Sequence, residues 1–196
     1  MPILGILASS NRQGRGGGPV GAYDSLASVT IPSSGSIAEV LFAGIPTGYK
    51  HLQLRISAAN NTAGIYYVAV YNGDTAQASY PRHTLYGTGS SAGSGNAINV
   101  DSSTRGAMLA TPLYSTTYPS VAIADILDYA NVNKYKTTRS LSGQDANGSG
   151  ILNLDSSVWL NTSAITSINV RCNLAGGDAA TTTYNAGSII SLYGVK

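Results

Sequence analysis

A chain of 196 residues fits one domain, or one domain with an appendage, and is long enough to close a core without cross-links. Only 10% of its residues are charged and the net charge is +2, too weak a balance for nucleic-acid binding, and no apolar run approaches the roughly 18 residues of a membrane span. Gly, Ser, Thr, Asn and Ala dominate, the acids are eight Asp and the single Glu39, and 13 Tyr stand beside one Phe and one Trp, which is the chemistry of a turn-rich β-protein whose polar surface is hydroxyl and amide. Low surface charge leaves little repulsion between copies, so it suits a chain that lives inside an assembly. We therefore expect neither a nucleic-acid nor a membrane partner.

The chain opens on "LGILASSNRQGRGGGPVGAY". Gly16, Gly18 and Gly21 satisfy G-x-G-x-x-G, and Glu39 follows Gly21 by 18 residues, near the place of a ribose-binding acid in a dinucleotide fold. A phosphate loop needs converging backbone N–H groups at a helix N-terminus. Here Pro19 removes one donor and "YDSLASVTI" follows with the alternation of a strand. A flexible tether fits better. The apolar stretch from Ile3 to Ala8 has no Lys or Arg before it and is shorter than the ~7–15 residues of a signal-peptide core, so no export signal is expected. Residues 1–22 are expected to form an N-terminal anchoring arm and 23–196 the folded domain.

Period-two alternation then recurs about every dozen residues. "KHLQLRIS" is the clearest case, with Leu52, Leu54 and Ile56 on one face and His51, Gln53, Arg55 and Ser57 on the other. "LASVTI", "IAEVLF", "GIYYVAVY", "PRHTLY", "VAIADILDY", "KYKTTRSLSG", "GILNL", "SVWLN", "AITSINVR" and "SIISLYGV" read similarly. Asn72-Gly73 between two tyrosine-rich strands is a strong hairpin signal. "ANVN" and "DANGSG" mark turns on both sides of "KYKTTRSLSG". The stretches "GTGSSAGSGNAINVDSSTRG" and "LAGGDAATTTYNAG" are too polar and glycine-rich for core and are expected to be long loops. The expected fold class is all-β, a single antiparallel β-sandwich, jelly-roll-like, with an extended N-terminal arm.

Candidate chemistry is sparse. Cys172 ends an alternating run and reads as a small buried apolar residue. His51 and His83 have no third partner at metal-ligand spacing, and no G-x-S-x-G context surrounds any serine. Asp145, Asn147, Ser149 and Gly150 imitate the first half of a calcium loop, but Ser156 stands where the bidentate Glu belongs, and a tight hairpin explains the same residues. The sequons at Asn60, Asn147 and Asn161 read as turn chemistry. Asp125 and Asp128 facing Lys136 and Arg139 on adjacent strands read as cross-strand pairs rather than acid–base machinery. No catalytic residue, metal or cofactor is expected.

Six stretches, "YKHLQLRISA", "RHTLYGTGSSAG", "DILDYANVNKYKTTRSLSG", "GQDANGSGIL", "LNTSAITSINV" and the terminal "SIISLYGVK", resemble in order a family of small virion structural proteins of tailed bacteriophages, cyanophage-like, and "LGILASS" is similar to that family's start. The resemblance covers most of 37–196 and the first ten residues. It implies a non-enzymatic β-sandwich present in many copies on the particle, as a capsid cement or decoration protein, a head fibre or a tail component. The basic glycine tract from Arg12 to Gly18 departs from the family pattern.

These readings combine into an expectation of a homotrimeric decoration protein on the outer capsid surface of a virion, with the major capsid protein or another virion protein as partner. Ile3, Leu4, Ile6 and Leu7 are expected to insert into an apolar groove or add to a sheet edge. Arg12 and Arg15 would pair with acidic capsid surface. The alternative is a tail fibre or receptor-binding component that stacks Tyr80, Tyr86, Tyr114 and Tyr118 on host glycans.

Overall fold

The computed structural model describes residues 21–33, 37–97, 106–110, 116–174 and 182–196. Among them are twelve strands: β1 (Tyr23–Thr30), β2 (Glu39–Ala43), β3 (His51–Ala58), β4 (Ile65–Tyr71), β5 (Arg82–Gly87), β6 (Ala92–Ala97), β7 (Ala107–Ala110), β8 (Ser120–Leu127), β9 (Lys136–Asp145), β10 (Gly150–Trp159), β11 (Ser167–Leu174) and β12 (Ile189–Val195). They form an eight-stranded sheet in the order β1-β12-β3-β8-β9-β10-β5-β6 and a four-stranded sheet in the order β2-β11-β4-β7. All pairings are antiparallel, and the two sheets pack into the expected β-sandwich.

Several elements differ from the sequence reading. "GILNL" and "SVWLN" are one ten-residue strand, β10, because Asp155 and Ser156 stay in the ladder opposite Ser140 and Arg139. Strand β6 lies within the stretch expected to be a loop. Its small residues suit an edge strand that pairs along its whole length with β5. Asn72 and Gly73 do take left-handed φ values of 50° and 74°, but the turn is no hairpin, since β4 and β5 belong to different sheets. Asn72 is held there by accepting from the Thr166 and Ser167 N–H groups at 2.9 and 3.1 Å and donating to Ala164 O at 2.8 Å. The second expected loop is also partly interior: Thr182 and Tyr184 are buried, and Tyr184 bridges Ile37 and Asn60.

The turns around β9 are hairpins as expected. Asn147 and Gly148 adopt φ of 53° and 100°, and the Ala146 N–H donates to Ser149 O across them at 2.7 Å. Asn60, the first sequon, is buried, accepts from the Tyr67 hydroxyl at 3.2 Å and donates to Thr62 O. Cys172 is buried as expected, and burial pushes its thiol well above the usual range.

The interior changes chemistry across the large sheet. One inward row runs Val29, Ile190, Ile56, Ala122, Ser142, Asn153, Tyr86 and Gly93 through consecutive strands, and the next runs Ala27, Leu192, Leu54, Ala124, Ser140, Asp155, Thr84 and Gly95. The first four members of each row are apolar, and together with Phe42, Ile65, Tyr67, Tyr71, Trp159, Ile168 and Val170 most of them build the hydrophobic core. Along the middle of β9 and β10 the inward side chains are instead Thr138, Ser140, Ser142, Gln144, Asn153, Asp155 and Ser157, all buried, with Lys136 and Trp159 at the ends of the two strands.

Much of this polar interior has an identifiable partner. Strand β7 is the edge of the small sheet, so its outward N–H and C=O groups lack a ladder. Ser157 Oγ accepts from the Met108 N–H at 3.2 Å, and Ser140 Oγ donates to Met108 O at 3.1 Å. The Tyr71 hydroxyl pairs with Thr138, and Gln144 Nε2 donates to Tyr118 O at 2.6 Å. Lys136, one of the four charges read as cross-strand pairs, is instead fully buried, and its ammonium donates to Lys134 O and Thr162 O at 2.8 and 3.0 Å. Burial, helped by the charge of Lys134, lowers its pKa. Asp128 sits in the turn after β8 at φ 50°, bonded to Lys134 and 3.6 Å from His51 Nδ1.

Replacing Ser140 or Ser157 by Ala leaves one buried edge group of Met108 unpaired. Each variant should lose about 1–3 kcal/mol, read as a lower urea midpoint with an unchanged slope.

Asp74 provides a pH-dependent test. Burial raises its pKa, but hydrogen bonds from the Trp159 indole at 2.8 Å, the Ala76 N–H and Ser79 outweigh this and hold it below the usual carboxylate range. A depressed native pKa gives stability that is present above the unfolded value of about 3.9 and is lost as pH falls through the native one. Asp74→Ala should therefore cost more stability at pH 7 than at pH 2, measured by thermal unfolding at both.

Candidate functional site

The inversion of the interior has a counterpart outside. Because strand side chains alternate, the strands that turn Ser, Asn and Asp inward must present their other set to solvent. The matching outward row runs Ser28, Ser191, Arg55, Ile123, Leu141, Leu154, Leu85 and Ser94, changing from polar to apolar between β3 and β8. The neighbouring row places Val121, Gly143, Leu152 and Gly87 beside it on the same four strands. Leu85, Val121, Ile123, Leu141, Leu152 and Leu154 are between 45% and 59% exposed.

Six half-exposed aliphatic side chains in two adjoining rows amount to roughly 500 Å² of apolar surface, the size that marks interaction sites on soluble proteins. Scattered single leucines would carry no such meaning. The patch is built on regular, continuously paired strands, so its geometry is fixed by the ladder. Two hollows flank the leucine ridge. One of about 420 Å³ lies among His83, Leu85, Ser94, Asn96, Arg139, Leu154 and Ser156, and one of about 510 Å³ lies beside the β9–β10 turn at Gly143, Gly148, Gly150 and Leu152.

The other half of the same face is polar and closed upon itself. Arg55 lies between two tyrosine rings, 5.2 Å from the Tyr23 centroid and 4.5 Å from that of Tyr193. Its Nε donates to Gln53 Oε1 at 2.8 Å, and Gln53 Nε2 donates to Asp125 Oδ1 at 2.8 Å. Asp125 stands opposite Arg139 in register, as expected of a cross-strand pair. At the sheet edge Asp24 accepts from the Tyr49 hydroxyl at 3.1 Å and meets Lys196 at 2.8 Å, and the bond from Lys196 lowers its pKa.

The residues expected from sequence to bind a partner, Ile3, Leu4, Ile6, Leu7, Arg12 and Arg15, lie outside the described residues. So does Tyr114. Tyr80 is buried, its hydroxyl accepting from the Tyr71 N–H and donating to Asp74 O, so it cannot stack on a glycan. Tyr86 and Tyr118 are partly exposed. His51 Nδ1 accepts the Asp128 N–H at 2.9 Å, while His83 lies exposed beside the ridge. Among the described residues no three His, Cys, Asp or Glu side chains form a group able to hold a metal, and no helix is long and apolar enough to cross a membrane. Glu39 sits on β2 and accepts from Asn169 Nδ2 at 2.6 Å.

Sequence reasoning missed the aliphatic patch. The signal was present in "RSLSG", "ILNLDS" and "HTLYG", where leucines alternate with small or polar residues on three strands that prove to be neighbours.

Because these leucines contact water, replacing Leu141 and Leu154 together by Thr should change unfolding free energy by no more than about 0.5 kcal/mol per site. Binding of a hydrophobic dye to the native protein should fall clearly in the same variant. No protein-family model, curated protein or solved structure matches this chain.

Proposed function

We propose that this protein is a non-enzymatic structural component of a tailed-phage virion, a cement or decoration protein on the outer surface of the head that acts as a homotrimer. The observation that carries the reading is the rigid apolar patch on β8, β9, β10 and β5: a surface of that size, without charge in its rows, is built for adhesion. The low overall charge supports the same reading, as does the resemblance in sequence to small virion proteins. We read the topology as a jelly roll. Support comes from the nested pairing β1-β12-β3-β8 opposite β2-β11-β4-β7, with β5, β6, β9 and β10 as an extension of one sheet.

In this reading the arm is the attachment to the head. Ile3, Leu4, Ile6 and Leu7 insert into an apolar groove or add to a sheet edge of the major capsid protein, and Arg12 and Arg15 pair with acidic capsid surface for modest gain. A ligand that binds only the assembled lattice stabilises it by mass action. The tail-component reading is weakened by the burial of Tyr80.

Deletion of residues 2–18 should abolish co-sedimentation with empty capsids while leaving the thermal midpoint of the domain unchanged. Undiminished co-sedimentation would remove the arm's role. Labelling of virions at the C-terminus should decorate heads; tail decoration would favour the other reading.

A further inference from the structure

We infer that the apolar half of the outer face is the surface through which copies of this chain pack against one another. The inference rests on the self-association part of the proposed function and is independent of the particle to which the protein belongs.

Three observations favour another copy over a different partner. The first is charge. A contact that brings like faces together must carry no net charge, or it repels itself. The ridge of Ile123, Leu141, Leu154 and Leu85 contains no ionisable group, and of the charges beside it Asp125 and Arg139 stand directly opposite each other in the ladder. A partner chosen by electrostatics would find charge only at the margin, where Arg139 lies.

The second is shape. A raised leucine ridge runs between hollows of about 420 and 510 Å³ on the same sheet face. A ridge with a hollow at its side is complementary to a rotated copy of itself, each ridge entering the other's hollow. The third is area. The aliphatic rows expose roughly 500 Å², more than half of the ~800 Å² per partner of a specific interface, and Ser94, Asn96 and Ser156 beside them on the same face supply the polar rim. A face complementary to itself in this way closes a twofold pair of copies.

The full-length protein should sediment as an oligomer at about 100 μM, a concentration at which a micromolar contact is essentially complete. Leu154→Asp, which places a charge at the centre of the ridge, should weaken association roughly hundredfold or more and give monomer. Val132→Asp, an equally exposed apolar position in the β8–β9 turn, should leave the oligomer intact. Circular dichroism and thermal melting verify that each variant is folded, and Leu85→Asp carries the same test from a second strand if Leu154→Asp does not fold.

A monomeric wild type at this concentration, or a folded Leu154→Asp oligomer as tight as wild type, overturns the inference. If wild type is monomeric and Leu154→Asp instead loses capsid co-sedimentation, the face belongs to another virion protein, which also overturns it. An oligomer that dissociates with Leu154→Asp but fails to bind capsids upholds this inference and counts against the proposed function.

Discussion

The fold depends on how the free edge of β7 is closed. A short edge strand buried against a sheet face leaves backbone donors and acceptors without partners, and these cannot be left bare in an interior. Ser140 and Ser157, on neighbouring strands of the large sheet, place one hydroxyl on Met108 O and one on its N–H. That arrangement needs small polar side chains pointing inward from β9 and β10. Once they do, the alternation of the strand leaves Leu141, Leu152 and Leu154 nowhere but outside. The apolar surface is thus the reverse side of the polar interior.

Strand β8 is the pivot of this inversion. Its inward residues Ala122, Ala124 and Ile126 still belong to the hydrophobic core made with Leu52, Leu54 and Ile56 of β3, while its outward Val121 and Ile123 already belong to the exposed patch. Two kinds of cohesion therefore meet on one sheet. The β1-β12-β3 side is held by apolar burial within and by the Tyr23, Arg55 and Tyr193 stack without. The β9-β10-β5 side has a polar interior, bonded in part to β7 and Tyr71, and among the described residues its outer leucines stay half-exposed.

The sequence made the strands legible, because period-two alternation needs no tertiary knowledge. It did not make the faces legible. "ILNLDS" alternates equally well whichever side is buried, and the prior that leucine points inward is wrong for Leu152 and Leu154 because Asn153 and Asp155 are the buried set. Only the proximity of β7, which is remote in sequence, decides the matter. The same limit hid β6, whose glycines and serines look like a loop until β5 pairs with them, and β7, whose four residues are too short for a period. Lys136 reads as a surface charge because nothing local announces that its ammonium will meet the carbonyls of Lys134 and Thr162. Where the determinants were local, as in the Asn147-Gly148 hairpin and the apolar face of β3, the sequence was sufficient.

The polar contacts to β7 also fix its register. Sliding β7 by one residue would turn the N–H and C=O of Met108 toward β4 and bring groups of Ala107 or Leu109 to the serines with the opposite face forward. Two directed hydrogen bonds to one residue add to the register already set by apolar burial. The exposed patch inherits that definition, since its leucines alternate with the residues that set the register. Any contact made through that surface therefore meets the same geometry in every copy, because the strands beneath it are pinned.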